Sequence, residues 1–470
     1  MRMRSLDYGT VAELSEAIRN HDVSSVEITK AVLNQIERTN KALNAYTLIA
    51  ADQALAAAQA MDQALAAGFN FGPLHGIPVA VKDLYETKDL RTTGGGRILA
   101  DYVPKEDATT VARLRRSGAV IVGKTNTHEY AYGYTTENPH YGPTRNPWDT
   151  SRIPGGSSGG SGAAVAAGSA PAALGTDTGG SIRVPSSFCG ITGLKPTYGR
   201  VSRKGVLPLA WSLDHAGPMV HTAEDAALMM NVLAGYDPAD PASADVPVPD
   251  HTGRLDRDIR GLRLGIPRNH FFDRIDPEVL TAVREAIQVL EGLGGIPVEV
   301  DLSHMGQAVS AWLAILLAEA SSIHERDIRK RPADYGDDVR LYLEEGVLEG
   351  ATTYVKGQRV RQLLVQGFRE AMAGVDVLLT PATAVPAPKL GESAVEVGGE
   401  KEQLFLTLAR ISSPFDMTGL PALSVPCGFS QSGLPIGLQV VGHPFREDVV
   451  VQVGHAYQQV TDWHRRHPMV

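Results

Sequence analysis

A serine closes a glycine-rich loop in the middle of the chain, in the segment Leu174-Gly-Thr-Asp-Thr-Gly-Gly-Ser181. A tight turn through Thr178, Gly179 and Gly180 can aim successive backbone N–H groups at one point, because the glycines have no Cβ to block an approaching carbonyl group. That geometry is needed where negative charge develops on an acyl oxygen. The loop therefore predicts Ser181 as a nucleophile beside an oxyanion hole formed by the backbone of residues 178–181.

A serine hydroxyl is a weak nucleophile and needs a base. No Gly-x-Ser-x-Gly elbow followed by Asp and His is present, so the candidate base is Lys82, which ends the apolar run Ile77-Pro-Val-Ala-Val81. Active sites of α/β sheets lie at the carboxyl ends of strands. Burial there would lower the lysine pKa and leave a neutral amine that can accept a proton. A surface lysine paired with Asp83 is the alternative, and the residues alone favour neither.

The chain has 48 glycines in 470 residues, and two further explanations compete for its glycine clusters. Residues 118–125 match the phosphate-loop pattern G-x-x-x-x-G-K-[ST], but the four intervening residues are typical of a strand, so the match is interpreted as a coincidence. The tract Pro154–Gly162 also has the composition of a flexible linker. It runs directly into a helix-forming segment, Ala163–Ala167, although the linker interpretation stays open.

Helical and strand patterns alternate along the chain, which predicts an α/β fold: a large, twisted, largely parallel or mixed β-sheet flanked by helices. Ser24 and Glu27 form a capping box before a helix, a second helix spans about 51–67, and Asp276 is the expected N-cap of a helix that Gly292 ends. Another helix is expected over 107–117. Strands are expected at 77–81, 119–122, 170–176, 262–266, 298–300, 377–380, 422–425 and 436–441.

We interpret residues 1–470 as a single domain, with a helical segment over about 1–70, a core over about 71–235 and a variable pocket region over about 300–415. A length of 470 residues allows about three domains, but large α/β domains often run longer as one unit. The Pro-, Asp- and Ala-rich segment 237–252 is interpreted as a surface loop, with a domain boundary as the alternative.

Composition excludes several classes of function. The net charge of −9 argues against a nucleic-acid partner, which usually meets a basic patch. Arg2 and Arg4 precede no apolar segment, so no signal peptide is expected, and no apolar run approaches the ~20 residues of a membrane span. Two distant cysteines, Cys189 and Cys427, form no disulfide framework, which suits a reducing cytoplasm.

Several polar residues receive structural interpretations. Asp177 and Arg183 flank the loop and are expected to pair and stiffen it, with Ser158 as a further structural neighbour. Cys189 is expected to be a small buried packing residue. Three histidines lie near these motifs: His128, His140 and His215. None has a Cys, Asp or Glu at metal-ligand spacing, so neither a metal nor another cofactor is expected.

The motifs together resemble the amidase signature family over nearly the whole chain. The most specific block contains Pro154-Gly-Gly-Ser-Ser-Gly-Gly-Ser161 and the loop that ends at Ser181 and Arg183. The other matching segments are Gly76–Asp83, Gly123–Asn126, Asn146–Trp148, Pro185–Ser186, Phe188–Gly190, Gly193–Thr197, Ser212–Asp214, Gly217–Pro218, Gly419–Pro421 and Gly433–Gln439.

This resemblance implies a Ser–cis-Ser–Lys triad. By position, Ser181 is the acylated nucleophile, Ser157 is the bridging serine after a cis Gly156–Ser157 bond, and Lys82 is the base. The backbone N–H groups of Thr178, Gly179, Gly180 and Ser181 are expected to bind the oxyanion. The assignment of Ser157 rather than Ser158 comes from the resemblance alone.

The expected activity is hydrolysis of a carboxylic amide by a stand-alone amidase, on a small aryl or alkyl amide, with ester, anilide or carbamate side activity. The alternating tyrosines 130, 132 and 134 suggest an apolar pocket. The candidate substrate-binding residues are Ala131, Tyr132, Gly156 and Phe415. Ordinary packing is the alternative for Tyr132.

The rival within the family is the amidase subunit of an aminoacyl-tRNA amidotransferase. That subunit typically carries an acidic residue shortly before its Gly-Leu-Pro motif, where this chain has Ala409, and Asp416 stands where an asparagine is usual. The sequence also has no match to that subunit's Arg-Tyr-Asp segment. These departures favour a free-standing enzyme acting on a small molecule, without nucleic acid or membrane. Family members are often dimers, so a homodimer is one candidate assembly.

Overall fold

The computed structural model describes residues 6–470. Arg2 and Arg4, which enter the argument against a signal peptide, lie outside the described residues. The α-helices are α1 Val11–Arg19, α2 Ser25–Leu43, α3 Ala51–Ala66, α4 Thr109–Arg116, α5 Gly159–Ala166, α6 Arg183–Cys189, α7 Ala223–Leu233, α8 Pro277–Gly292, α9 Ala308–Lys330, α10 Asp337–Val347, α11 Ala351–Met372, α12 Leu404–Ser412, α13 Pro414–Thr418 and α14 Glu447–Gln459.

The strands form one large mixed sheet and two short hairpins. They are β1 Tyr46–Ile49, β2 Pro78–Lys82, β3 Val120–Thr125, β4 Glu137–Asn138, β5 Gly142–Pro143, β6 Ala172–Asp177, β7 Thr192–Lys195, β8 His215–Val220, β9 Arg263–Pro267, β10 Ile296–Val300, β11 Val377–Pro381, β12 Ala394–Val397, β13 Glu400–Gln403, β14 Ala422–Phe429 and β15 Pro435–Gly442. The sheet has eleven strands in the order β1-β3-β2-β6-β8-β7-β14-β15-β11-β9-β10.

The mixed character of the sheet confirms the expected fold class. The neighbours β2 and β3, β2 and β6, β9 and β10, and β9 and β11 are parallel, whereas β6, β8, β7, β14, β15 and β11 pair antiparallel in turn. Along β2, alternate residues face opposite sides of the sheet. Val79 and Val81 therefore join one buried apolar cluster, while Ala80 joins a second cluster beneath α2, α3 and α5.

Local signals placed the predicted helices well. Ser24 and Glu27 form the predicted capping box of α2, and Asp276 caps α8 by accepting hydrogen bonds from the N–H groups of Glu278 and Val279. Residues 120–125 are strand β3, which is the reason that the phosphate-loop match over 118–125 has no loop to bind an anion.

Three strands of the large sheet were not predicted: β1, β7 and β8. They have four to six residues, and both β7 and β8 contain glycine, with proline also in β8. Such residues weaken the strand signal in a sequence. The segment 237–252 is irregular and begins against the core, where the Asp237 carboxylate accepts hydrogen bonds from Thr109 and Ser202. The single-domain organisation stays a prediction.

Within residues 6–470, one helical stretch is long and apolar enough to cross a membrane by length and composition: Met305–Lys330. Of its most apolar window, 56% is buried inside the protein. A helix of this kind is typical of a soluble core as well as of a membrane span. Here its Trp312 side chain packs towards the loop that carries Ser181.

Candidate active site

The sheet brings the predicted catalytic residues together at the carboxyl ends of two neighbouring strands. Strands β2 and β6 are parallel neighbours, with Val81 opposite Leu174, so their carboxyl ends meet at the same place. Lys82 is the last residue of β2, and β6 ends at Asp177 just before the loop that contains Ser181. Ser157 lies two residues before α5. Its segment is tied to the loop by a hydrogen bond of 3.3 Å from the Ser158 N–H to the Ser181 carbonyl.

The amine of Lys82 is fully buried among hydroxyl groups. Its Nζ atom lies within hydrogen-bond distance of Ser157 Oγ at 2.7 Å, Ser158 Oγ at 2.9 Å and Thr176 Oγ1 at 2.7 Å. The Lys82 side chain has 0% exposure, and Asp83 instead lies 3.6 Å from Lys124. The surface-lysine interpretation is therefore wrong.

Burial lowers the pKa of the Lys82 amine well below its ordinary value, because desolvation penalises the ammonium form. The carboxylates of Asp177 and Asp214 favour the ammonium, but their effect is smaller than that of burial. A neutral amine at this position can accept a proton from a hydroxyl that it contacts directly.

Two other lysines are fully buried and differ from Lys82 in their partners. Burial lowers the pKa of Lys124 and of Lys195 to about 8. Lys124 donates to the Tyr85 carbonyl and lies beside the Asp83 carboxylate, and Lys195 donates to the carbonyls of Pro196 and Leu420. Carbonyl oxygens can only accept hydrogen bonds. Among these three lysines, only Lys82 has hydroxyls as its sole hydrogen-bond partners, and hydroxyls can both give and take a proton.

The peptide bond between Gly156 and Ser157 is cis, as the family resemblance implied. The carbonyl of Ser157 accepts hydrogen bonds from the His128 N–H at 3.1 Å and from Thr127 Oγ1 at 3.0 Å. A Cβ added at Gly156 would lie 2.7 Å from the Tyr134 backbone. Gly156 therefore packs closely against the backbone of residues 134–136. Substrate binding by Gly156 stays a prediction.

Asp177 organises the loop from inside. Its carboxylate accepts hydrogen bonds from the N–H groups of Gly180 at 2.6 Å and Ile182 at 3.0 Å. The prediction that all four N–H groups of residues 178–181 face an oxyanion is therefore wrong for Gly180 in this structure. Within the described part of the chain, no hydrogen bond occupies the N–H groups of Thr178, Gly179 and Ser181.

The expected pairing of Asp177 with Arg183 is present and extends to a second acid. The Arg183 guanidinium lies 2.9 Å from Asp177 Oδ1 and 2.6 Å from Asp416 Oδ2, and it also donates to Gln439 Oε1 at 2.8 Å. Burial is the largest single effect and disfavours ionisation of Asp177, but the charge and hydrogen bond of Arg183, together with Asp416 and Lys195, outweigh burial and lower the pKa of Asp177. Burial and the Asp177 charge raise the pKa of Asp416 well above its ordinary value. The network thus packs two buried carboxyl groups against one guanidinium.

Aromatic side chains cover the loop on the side of Gly179. Trp312 Nε1 donates to the Thr178 carbonyl at 3.0 Å, and the Tyr134 hydroxyl donates to the Gly179 carbonyl at 2.7 Å. The rings form a continuous cluster, which we call the aromatic wall. It consists of Tyr132, Tyr134, Trp312, Tyr342 and Phe405.

The predicted substrate-binding residues lie in different places. Tyr132 belongs to the aromatic wall, and its buried hydroxyl has no hydrogen-bond partner among the described residues. Ala131 lines a cavity beside the loop. Phe415 instead stacks on Phe271 and lies 5.8 Å from the Arg183 guanidinium, so its contacts make it a support behind the loop.

Sequence reasoning missed Thr176, which holds Lys82, and gave no role to Asp214, which accepts a hydrogen bond from Thr178 Oγ1 at 2.7 Å. Asp214 lies in one of the matched motifs, whereas Trp312 had no local signal. The three predicted structural histidines each contact an acidic side chain or a backbone carbonyl. His128 pairs with Asp338 at 2.9 Å, His140 pairs with Glu129 at 2.8 Å, and His215 Nδ1 lies 3.2 Å from the Asp177 carbonyl.

Comparison with known proteins agrees with this geometry. A family model described as Amidase matches residues 27–451. The chain belongs to the amidase signature family. It is 44% identical to the A subunit of glutamyl-tRNA(Gln) amidotransferase from Geobacter metallireducens over 480 residues, covering 97% of this chain and 98% of that protein.

Solved structures of family members superimpose closely. One is described as an unexpected vestigial protein complex that reveals the evolutionary origins of an s-triazine catabolic enzyme. It is 36% identical with a TM-score of 0.92, covering 96% of this chain and 98% of that one. A bacterial aryl acylamidase of the family is 28% identical with a TM-score of 0.90, covering 97% and 98%. As a member of this family, the chain is an amide-hydrolysing enzyme.

We predict that Lys82→Met stabilises the fold while removing the amine. The unfolded lysine has a pKa of ~10.4 and the folded one a lower pKa, so below ~10.4 the unfolded state binds more protons and the free energy of unfolding rises with pH. The variant lacks this penalty, so its melting temperature should exceed that of the unmodified protein by a few degrees at pH 7. The gain should shrink towards pH 10.

Melting curves from pH 6 to 10 measure this difference, with Lys204→Met as the control at an exposed position. A variant that melts below the unmodified protein at pH 7, with a difference that does not depend on pH, would show that Lys82 is an ordinary ammonium in the folded state.

Proposed function

We propose that Ser181 attacks the amide carbonyl and becomes acylated, and that its proton passes through the Ser157 hydroxyl to the neutral amine of Lys82. The observation that carries this proposal is the buried Lys82 amine with only hydroxyl partners, Ser157 among them at 2.7 Å. The N–H groups of Thr178, Gly179 and Ser181 stabilise the oxygen of the tetrahedral intermediate.

The same relay runs backwards when the carbon–nitrogen bond breaks. Lys82 returns the proton through Ser157 to the leaving nitrogen, which departs as an amine or as ammonia. Water then attacks the acyl ester of Ser181 and gives its proton to the relay, which frees the carboxylate and restores the serine. Asp177 and Arg183 contact neither reacting atom and act as positioning residues for the loop.

For the natural role, we propose an amide-hydrolysing subunit in an assembly of the aminoacyl-tRNA amidotransferase kind. The support is the 44% identity, over nearly the full length of both chains, to a protein of that name. In this role the chain releases ammonia from an amide donor. Its net charge of −9 is consistent with tRNA contacts made by partner subunits. Buried thiols at Cys189 and Cys427 agree with our proposal of a cytoplasmic location.

A free-standing amidase for a small aryl or alkyl amide is the second candidate, and a specific observation favours it. Ala409 is fully buried in α12, and Asp416 contacts Arg183 rather than open space. Neither position offers a carboxylate for the amino group of glutamine, and the aromatic wall suits an apolar acyl group.

We predict that Ser181→Ala lowers kcat/KM for amide hydrolysis by at least about 10³-fold, because the acyl-enzyme is no longer formed. Ser157→Ala should lose activity to a similar degree, whereas Ser158→Ala, which removes a neighbouring Lys82 partner, should lose much less. Mass spectrometry of enzyme quenched during turnover of an activated ester should find the acyl group on the peptide containing Ser181. Near-normal turnover by Ser181→Ala, or acylation elsewhere, refutes the assignment.

We also predict that kcat/KM rises with pH through the depressed pKa of Lys82, because only the neutral amine accepts the serine proton. Lys82→Arg is the control, since a guanidinium stays protonated at every accessible pH and should give an inactive enzyme without that rising limb. The rates should be measured with pre-steady-state detection of acylation. A flat acylation profile across neutral and alkaline pH argues against the base.

The two roles differ in what accompanies the chain. In the first role, tagged protein from its native host should co-purify with other subunits, and glutamine hydrolysis by the assembly should exceed that of the isolated chain at least tenfold. In the second role, the isolated chain should hydrolyse simple anilides as fast as any material purified from the host. Ser181→Ala serves as the inactive control in both assays.

A further inference from the structure

The peptide units of the Ser181 loop are oriented by the partners of their carbonyl groups. Among the described residues, nothing bonds to the N–H groups of Thr178, Gly179 and Ser181. The peptide bonds from residue 177 to residue 181 are trans, so the C=O and N–H groups of one unit point in opposite directions. A donor that fixes the carbonyl of one residue therefore also fixes the direction of the next residue's N–H group.

Secondary structure holds two of these three units. The Asp177 carbonyl, which shares a unit with the N–H of the next residue, stands at the end of β6 and lies 3.2 Å from His215 Nδ1. The Gly180 carbonyl shares a unit with the Ser181 N–H and accepts the Val184 N–H at 2.7 Å, at the start of α6. A strand end and a helix start therefore orient these two candidate oxyanion donors.

The unit that carries the Gly179 N–H is held by a side chain instead. Its carbonyl, that of Thr178, accepts the Trp312 Nε1–H at 3.0 Å. An indole nitrogen can only donate, so a flipped unit would place two N–H groups against each other. Residues 178–181 belong to no strand or helix. The orientation of this unit consequently depends on a residue of α9 that is 134 positions away in the sequence.

The indole ring also packs directly on the loop. The Trp312 side chain is buried, and a Cβ added at Gly179 would lie 2.5 Å from its Cζ2 atom. The ring in turn contacts other members of the aromatic wall, with its centroid 5.7 Å from that of Phe405 and 6.5 Å from that of Tyr134. The indole nitrogen is therefore held at one position relative to the loop.

The next unit along the loop provides a comparison. The Gly179 carbonyl accepts the Tyr134 hydroxyl at 2.7 Å and a second hydroxyl from α12, and the Gly180 N–H of the same unit donates to Asp177 at 2.6 Å. This unit has three partners, and its N–H is already occupied. Loss of the Tyr134 hydroxyl should leave it in place, whereas loss of the Trp312 N–H removes the carbonyl partner that orients the preceding unit.

We propose that Trp312 is a positioning residue for amide hydrolysis: its indole N–H, acting through the Thr178 carbonyl, aims the Gly179 N–H at the oxygen of the tetrahedral intermediate. The inference rests on the proposed acyl-enzyme mechanism, which both candidate roles share. No hydrogen bond within the described chain links Trp312 to Ser181 or Lys82. Trp312 should therefore affect the stabilisation of charge on the intermediate and not the transfer of the proton.

The test exchanges the ring N–H for sulfur at nearly constant shape, as Trp312→3-benzothienylalanine. For amide hydrolysis, kcat should fall about 10- to 100-fold, since complete loss of one oxyanion donor costs ~10²–10³. KM should change less than about threefold, because the donor acts on the intermediate and not on the bound amide. Trp312→Phe should lower kcat at least as far; if it does not fold, the sulfur variant decides alone. Subunits that co-purify with the chain are kept in every assay.

Two variants are matched controls. Trp148 Nε1 also donates to a backbone carbonyl, that of Cys189 at 2.8 Å, which stands at the end of α6 away from the loop. Trp148→3-benzothienylalanine should therefore leave kcat unchanged. Tyr134→Phe removes a hydroxyl from the neighbouring peptide unit and should lower kcat much less than either change at Trp312.

A spectroscopic measurement separates the oxyanion hole from general packing. The acyl-enzyme is formed with a slowly hydrolysed ester that is isotope-labelled at its carbonyl carbon, and the infrared band of that carbonyl is recorded. Hydrogen bonds to the oxygen lower the stretching frequency, so Trp312→3-benzothienylalanine should raise the frequency, whereas the Trp148 variant should not. The rising limb of the pH profile assigned to Lys82 should keep its midpoint in every variant.

The outcomes distinguish this inference from the catalytic proposal. If Ser181 is acylated but the Trp312 variants keep normal turnover and an unshifted carbonyl band, the positioning role is wrong and the acyl-enzyme stands. Equal losses at Trp148 and Trp312, or a shifted pH midpoint, also overturn the inference, because the ring would then act through stability or through the base. If Ser181 is never acylated, both proposals fail.

Discussion

The site depends on a lysine amine held away from water with only hydroxyl groups to bond. Burying a charged ammonium is costly unless a carboxylate accompanies it, and no carboxylate of the described residues bonds to the Lys82 amine. Lys124 and Lys195 are equally buried, yet each has carbonyl or carboxylate oxygens that require a donor. The same physical constraint, removal from solvent, therefore produces structural lysines at two positions and an amine able to exchange a proton at the third.

The charged groups nearest to the site lie behind the loop and do not bond to the Lys82 amine. Asp177 faces Arg183, and its carboxylate also accepts the N–H groups of Gly180 and Ile182, which hold the loop in its turn. Asp416 contacts the same guanidinium, and burial and the Asp177 charge raise the pKa of its carboxyl group. The loop is thus held in place by charges that lie behind it, away from the reacting atoms. This arrangement suits a site whose N–H groups must already point at the oxyanion before substrate arrives.

The candidate catalytic residues Lys82 and Ser181 were predictable from sequence, because strand ends and glycine-rich loops leave local signals in a sequence. Lys82 follows an apolar run and Ser181 follows two glycines, and the parallel pairing of β2 and β6 joins them. Three features of the site could be found only in the folded structure. The Lys82 environment depends on Thr176 from another strand, the Gly180 N–H is taken by Asp177, and Trp312 reaches the loop from 134 residues away. Short strands that contain glycine or proline, such as β8, were also not predicted, because their stability comes from pairing with neighbouring strands.

The natural role follows less from the relay than from what surrounds it. The sequence departures at Ala409 and Asp416 favour a free-standing enzyme, while the 44% identity to an amidotransferase subunit favours an assembly. Both roles require the same serine, lysine and loop, so the residues around the loop, and not the proton relay, distinguish them.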